Sequence, residues 1–192
     1  MIQSRIRKAF TLQQGQSDCG VACLSTILKY HNGSTTIERI RELSGTSKQG
    51  TTLLGLYHAA EQLGFDAQGL EAESVENLKE LAEPAILHII QHANLQHYYV
   101  FFGFENDKII IGDPGKGIIT VTKNELEQEW KSKALLKLVP NENFIKVKKK
   151  KKEKWDWFRS LIAEDFNILL IALFLGIVIS IIGLSRLSFH KN

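Results

Sequence analysis

Cysteine is scarce in this chain. The 192 residues contain two, Cys19 and Cys23, four apart in one periodic segment. A pair that close has no loop to staple, which excludes a disulfide framework and points to a reducing compartment. The opening Met1-Ile2-Gln3-Ser4-Arg5-Ile6-Arg7-Lys8 lacks the apolar core of a secretory signal, so none is expected. No Gly-x4-Gly-Lys-Ser/Thr occurs either. Gly112-Asp113-Pro114-Gly115-Lys116-Gly117 has neither the spacing nor the hydroxyl residue of a phosphate-binding loop. A basic face is also missing, despite the net charge of +3. Of the 24 bases, seven are the lysines at 146, 148 to 152 and 154, beside the single acid Glu153. Setting that block aside leaves 17 bases against 20 acids. A nucleic-acid-binding domain spreads its bases over a folded surface, so a nucleic-acid partner is not expected.

What is present centres on Gln13-Gln14-Gly15-Gln16-Ser17-Asp18-Cys19-Gly20-Val21-Ala22-Cys23-Leu24. A polar turn runs into an apolar periodic segment (Val21, Ala22, Leu24, Ile27, Leu28) that continues to His31-Asn32-Gly33. Ser17 or Asp18 is the expected N-cap and Gly33 the stop, which puts Cys19 in the first turn of a helix. Free N–H groups and the helix dipole stabilise a thiolate at such a position. Cys23, one turn deeper among Ala22, Leu24 and Ile27, is expected to be inert core.

Downstream, Thr35-x-x-Glu38 predicts a capping box and a short helix through Leu43, closed by Gly45. Thr52 to Leu63 predicts a third helix, closed by Gly64. Phe65 to Leu70 predicts a strand and Ser74 to Leu81 a fourth helix. Beyond Pro84 the texture changes. Ala85 to Ile90 is a compact apolar run, His97 to Phe102 is aromatic and β-branched, and Ile109 to Ile111 follows a turn at Glu105-Asn106-Asp107. Asp113-Pro114-Gly115 is a further turn before a strand at Ile118 to Val121. Thr122-x-x-Glu125 caps a helix through Trp130, and Ala134 to Val139 predicts a last strand. Helices followed by a mostly antiparallel sheet make an α+β fold.

The chain is read as a domain over 1–142, a basic and aromatic linker over 143–165, a transmembrane helix over 166–185 and a short tail over 186–192. Ile168 to Leu184 carries no charge. Its seventeen residues reach roughly 26 Å as a helix, just short of a ~30 Å hydrocarbon core but within the range of spanning segments. Lysines on the N-terminal flank, with Trp155 and Trp157 at the interface, orient the N-terminal domain to the cytoplasm.

A cysteine nucleophile needs a base, a group that orients the base, and donors for an oxyanion. Of the six histidines, His31, His58 and His190 have no partner that the sequence places. His88 and His92 have metal-pair spacing but no third ligand, so neither a metal nor a cofactor is expected. His97 differs. Folding the hairpin about Asn106 sets residue 97 roughly opposite 115 and residue 99 opposite 113, so Asp113 reaches the His97 ring at one edge of the sheet. It would fix the tautomer and favour the imidazolium. Gln13, Gln14 and Gln16 are all candidate oxyanion donors, and the residues alone do not choose among them.

Gln13-x5-Cys19, Asp18-Cys19-Gly20-x-Ala22-Cys23-Leu24, His97 opening an aromatic strand and Asp113-Pro114 sixteen residues later together resemble the C39 family of cysteine peptidases. These are papain-like N-terminal domains of bacterial peptidase-containing ABC exporters that process bacteriocins and peptide pheromones. The resemblance covers roughly residues 8 to 140. It implies Cys19 as nucleophile, His97 as general base, Asp113 as its orienter and Gln13 as oxyanion donor. It also implies cleavage after a double glycine in a leader peptide whose amphipathic helix docks in an apolar groove. Glycines suit a channel too narrow for side chains. The implied partners are a double-glycine precursor, the lipid membrane and separate ABC exporter subunits, since one span and no ATPase motif make no transport path. A leader-recognition module without turnover, a remnant of a truncated exporter, and another papain-like amidase or transglutaminase-like enzyme are the competing readings.

Overall fold

The computed structural model describes residues 2–91, 95–146, 166, 168 and 170–180. Four helices come first: α1 (Ile2–Ala9), α2 (Cys19–Tyr30), α3 (Ile37–Ser44) and α4 (Leu53–Gln62). Six strands follow: β1 (Phe65–Glu71), β2 (Ala85–Gln91), β3 (Leu95–Glu105), β4 (Lys108–Asp113), β5 (Gly117–Val121) and β6 (Ala134–Pro140), with α5 (Lys123–Glu129) before the last. They form one antiparallel sheet in the order β1-β6-β2-β3-β4-β5.

Alternation along the strands divides the core in two. On one face Ile86, Tyr98, Val100, Leu136 and Leu138 pack against Leu24 and Ile27 of α2, Ile40 of α3 and Leu56 of α4. On the other, Leu87, Ile89, Tyr99, Phe101, Ile109, Ile111 and Leu135 pack with Val75, Leu78, Leu126 and Trp130. Every residue of α2 from Cys19 to Leu28 is buried. A helix apolar on all sides has to be enclosed, and the sheet and the flanking helices enclose it. Tyr98, Tyr99 and Phe101 therefore belong to the core, whereas Leu54 at the start of α4 is 64% exposed.

Several local expectations need correction. The N-terminal residues, for which no element was read, form α1 and bury Ile6. The N-cap of α3 is Thr36, whose hydroxyl accepts from the Arg39 amide, not Thr35. The chain reverses after α2 at Asn32 (φ 64°), while Gly33 leaves room for the Phe144 ring, which would lie 2.7 Å from an added Cβ. Ser74 to Leu81 forms a 3-10 turn over Val75–Glu80, with Asn77 Oδ1 accepting from the Ser74 amide at 3.0 Å. The α5 capping box forms as expected between Thr122 and Glu125. In the β3–β4 hairpin Glu105 pairs with Lys108, not with 107. A bulge between Phe101 and Gly103 then shifts the register by one, so that Val100 faces Gly112. That bulge is what sets residue 99 opposite 113.

The chain divides into two compact units, Met1–Val147 and Lys148–Asn192. In the second, residues 170–180 are helical, and the Ser180 hydroxyl donates to the Gly176 carbonyl at 2.9 Å. Among the described residues no helix is long and apolar enough to cross a membrane. The expected span over 166–185 and the linker over 143–165 lie partly outside the described residues, and the tail over 186–192 wholly so.

Candidate active site

Three side chains from distant parts of the sequence meet at one end of the sheet. Cys19 is the first residue of α2, His97 stands near the start of β3, and Asp113 is the last residue of β4. The His97 Nε2 lies 2.9 Å from Asp113 Oδ1. Cys19 stands close enough to the same ring to help raise its pKa. With Nε2 engaged by the carboxylate, Nδ1 is the nitrogen left for the sulfur. Cys19 is 5% exposed and Asp113 1%, so both sit behind the protein surface. Tyr99 packs edge-on against the His97 ring at 5.3 Å and fixes its plane.

The electrostatics of the three groups are coupled. Burial pulls His97 down, but the hydrogen-bonded Asp113 and then the neighbouring Cys19, reinforced by both charges, outweigh it and raise the imidazole to about 9. Burial pushes Asp113 up, yet the His97 hydrogen bond and the Gly115 amide hold it below its ordinary value. That amide donates to Oδ1 at 2.9 Å, and Lys116 Nζ stands 3.6 Å from Oδ2. A carboxylate held ionised in this way keeps the imidazolium oriented toward the sulfur.

Gln13 is the glutamine that the fold brings to this cluster. Its backbone amide donates to the Pro114 carbonyl at 2.9 Å, tying its turn to the loop that follows Asp113. A Cβ on Gly115 would stand 3.4 Å from Asp113 Oδ1 and 3.8 Å from Gln13 Oε1. Gln13 is half-buried and its Oε1 has no partner among the described residues, whereas Gln14 and Gln16 are exposed.

Cys23 is 1% exposed and its thiol donates to the Tyr98 carbonyl at 3.4 Å. Burial, with Cys19 and Asp113 nearby, pushes that thiol well above its usual range. It is a core residue, as expected. His31 caps the end of α2 against Tyr30, Phe65 and Phe144. Burial, with Arg5 and Lys146 adding to it, pulls it down to about 4. His58 is exposed on α4, 3.8 Å from Glu61, and half-buried His88 stands opposite Tyr98. His92 and His190 lie outside the described residues, and among the described residues no group of side chains could hold a metal ion.

One pair was not foreseen. Asp18, one of the two caps expected for α2, makes no capping bond and instead binds the guanidinium of Arg41 through both oxygens, at 2.9 and 2.7 Å. The sequence carried half of the signal, an acid directly before the cysteine. Nothing in it announced that α3 would aim Arg41 there.

Comparison with known proteins places this geometry. The family model of the peptidase C39 family matches residues 7–143. The lactococcin-G-processing and transport ATP-binding protein LagD of Lactococcus lactis subsp. lactis is 43% identical over 124 residues, which is 64% of this chain and 18% of that protein. The mesentericin-Y105 transport/processing ATP-binding protein MesD of Leuconostoc mesenteroides is 31% identical over 89% of this chain and 24% of its own length. The chain thus spans about a quarter or less of these relatives. The peptidase domain of Streptococcus ComA, a bi-functional ABC transporter of a quorum-sensing pathway, superposes with a TM-score of 0.64 at 37% identity, over 68% of this chain and 97% of that one. A double glycine motif protease from an AMS/PCAT transporter, solved with its leader peptide, gives a TM-score of 0.62 at 29% identity over 68% and 89%.

Proposed function

This chain belongs to the peptidase C39 family, whose model covers residues 7–143, and from that premise we propose that it is a cysteine endopeptidase cutting leader peptides after a double glycine. The fold is the papain-like one of that family. The observation that carries the proposal is the buried His97–Asp113 contact at 2.9 Å, with Cys19 near enough to help raise the same imidazole.

The roles follow from the chemistry of each group. The Cys19 thiolate attacks the carbonyl carbon of the second glycine. The oxyanion that forms accepts from the Gln13 side-chain amide and from the Cys19 backbone N–H, one of the unpaired donors of a helix's first turn. His97 gives its proton to the leaving amine, which departs as the mature peptide's N-terminus and leaves a thioester. The neutral imidazole then takes a proton from water as it attacks the thioester. The leader carboxylate leaves, and the Cys19–His97 pair is restored. Asp113 holds the ring and its charge throughout.

The substrate class rests on the relatives, whose names record bacteriocin processing and, in one case, a double glycine motif and a bound leader peptide. We assign the peptidase to residues 1–142, a basic linker to 143–165, a membrane tether to 166–185 and a tail to 186–192, with the peptidase on the cytoplasmic face of the cell membrane beside ABC exporter subunits. Lys148 to Lys152, Trp155, Trp157 and the uncharged run from Ile168 support the tether.

The deciding experiment is incubation of wild type and Cys19→Ala with double-glycine precursor peptides under reducing conditions, with the products weighed. Cleavage is expected only in wild type, with the same circular dichroism for both. Persisting cleavage in Cys19→Ala refutes the reading. Binding of the precursor by wild type without any product favours a recognition module instead.

A further inference from the structure

Asp18 stands where an aspartate has a default role. As the residue before α2 it would ordinarily accept hydrogen bonds from the N–H groups of the helix's first turn. It makes no such bond. Its carboxylate instead takes Arg41 Nε at 2.9 Å on Oδ1 and Arg41 Nη2 at 2.7 Å on Oδ2. The Asp18 amide donates to the Gly15 carbonyl at 3.2 Å, and a Cβ on Gly15 would lie 3.3 Å from Oδ2. Asp18 is 4% exposed, so this charge is held inside the protein. The guanidinium fork matches both carboxylate oxygens at once, a geometry that a lysine cannot supply. Arg41 keeps Asp18 below the usual carboxylate range.

A buried carboxylate beside Cys19 would harm the reaction in two ways. Its charge would disfavour the thiolate, and its oxygens would occupy the N–H groups at the start of α2 that the oxyanion needs. Arg41 removes both effects from a helix that contributes no other residue to the site. We propose that Arg41 is a positioning residue for the nucleophile: its fork draws the Asp18 carboxylate off the start of α2 and cancels the charge, which keeps that helix end open to the thiolate and the oxyanion. This inference rests on the peptidase reading for its importance, but its alkylation test needs no substrate.

Breaking the ion pair from its two ends separates positioning from mere support. Arg41→Met leaves the carboxylate charged and released. Asp18→Asn removes the charge and leaves the guanidinium. In the full chain, iodoacetamide alkylation of Cys19 is followed by mass spectrometry at a temperature well below both melting transitions. Arg41→Met is expected to slow alkylation roughly tenfold, the effect of one uncancelled neighbouring charge. Asp18→Asn is expected to leave it at or above the wild-type rate. On a double-glycine peptide Arg41→Met should lower kcat by a similar factor, with KM held within about twofold.

A tie that only holds α3 to α2 predicts two destabilised proteins whose folded forms alkylate alike. Equal rates in the two variants, or changes in the same direction, overturn the proposal. Should Arg41→Met not fold, Arg41→Lys retains the charge without the fork. It should alkylate more slowly than wild type, and a wild-type rate there also refutes the idea. A wild-type protein that alkylates normally but cleaves nothing sinks the peptidase reading and leaves the Arg41 result to stand separately.

Discussion

Replacing Asp113 with asparagine keeps the shape of the His97 contact and deletes its charge. In the native protein burial pulls His97 down from 6.5, and the Asp113 hydrogen bond is the largest of the effects that reverse this and carry it to about 9. A rise of that size corresponds to roughly 3 kcal/mol of preference for the imidazolium. Cys19 also supports the charged ring, so the variant keeps part of the rise. Asp113→Asn is expected to lower the His97 midpoint by about one unit or more, at least ~1.4 kcal/mol.

Because the folded-state value is raised, the stability it contributes is fully present below pH 6.5 and disappears as pH climbs through about 9. Three readouts follow. The His97 ring resonances should titrate near 9 in wild type and clearly lower in Asp113→Asn. The falling limb of kcat/KM for a double-glycine peptide should lie near pH 9 and move down by the same amount, with kcat at pH 7 reduced roughly 100-fold. The melting temperature of wild type should fall between pH 6.5 and 9, and the variant's curve should be flatter across that window. A His97 that still titrates near 9 without Asp113, or a falling limb that does not move, refutes the reasoning.

Gln13→Ala is expected to lower kcat by roughly 100-fold or more with little change in KM, as for loss of one oxyanion donor. Gln14→Ala and Gln16→Ala, both at exposed positions, should stay within about twofold of wild type in the same assay. Cys23→Ala should keep its cleavage rate within about twofold and lose about 1 kcal/mol in urea titration, the scale of a small truncation in the core. Gly64 has φ +86° and an added Cβ would lie 2.6 Å from the Phe144 Cα. Gly64→Ala should therefore cost roughly 2 kcal/mol or more through strain and clash, read as a lower urea midpoint at an unchanged slope.

Much of the site was legible before the fold was known, because local rules carried it. The cap-and-stop pattern around Cys19 located the helix to within a residue at its start, and β-branched and aromatic runs located β2 to β6. Pairing His97 with Asp113 needed only the arithmetic of one hairpin. That arithmetic succeeded because a bulge at Phe102 compensated for the two-residue turn at Asn106-Asp107, a cancellation that no sequence rule foresaw. Expectations failed where a distant group competed for a local one. Asp18 gave up its cap to Arg41, and Gly33 yielded its space to Phe144.

By itself the sequence determined the chemical cast: a cysteine at a helix start, a histidine and an aspartate on adjacent strands, and glutamines upstream. Those assignments depend on hydrogen-bond periodicity and turn chemistry within a dozen residues, which the chain carries with it. Only the tertiary structure decided which glutamine faces the cluster, how far His97 rises and where the Asp18 charge goes. These depend on burial and on partners from 16 to about 100 residues away, and the free energy of such contacts exists only once the sheet and the helices have closed on one another.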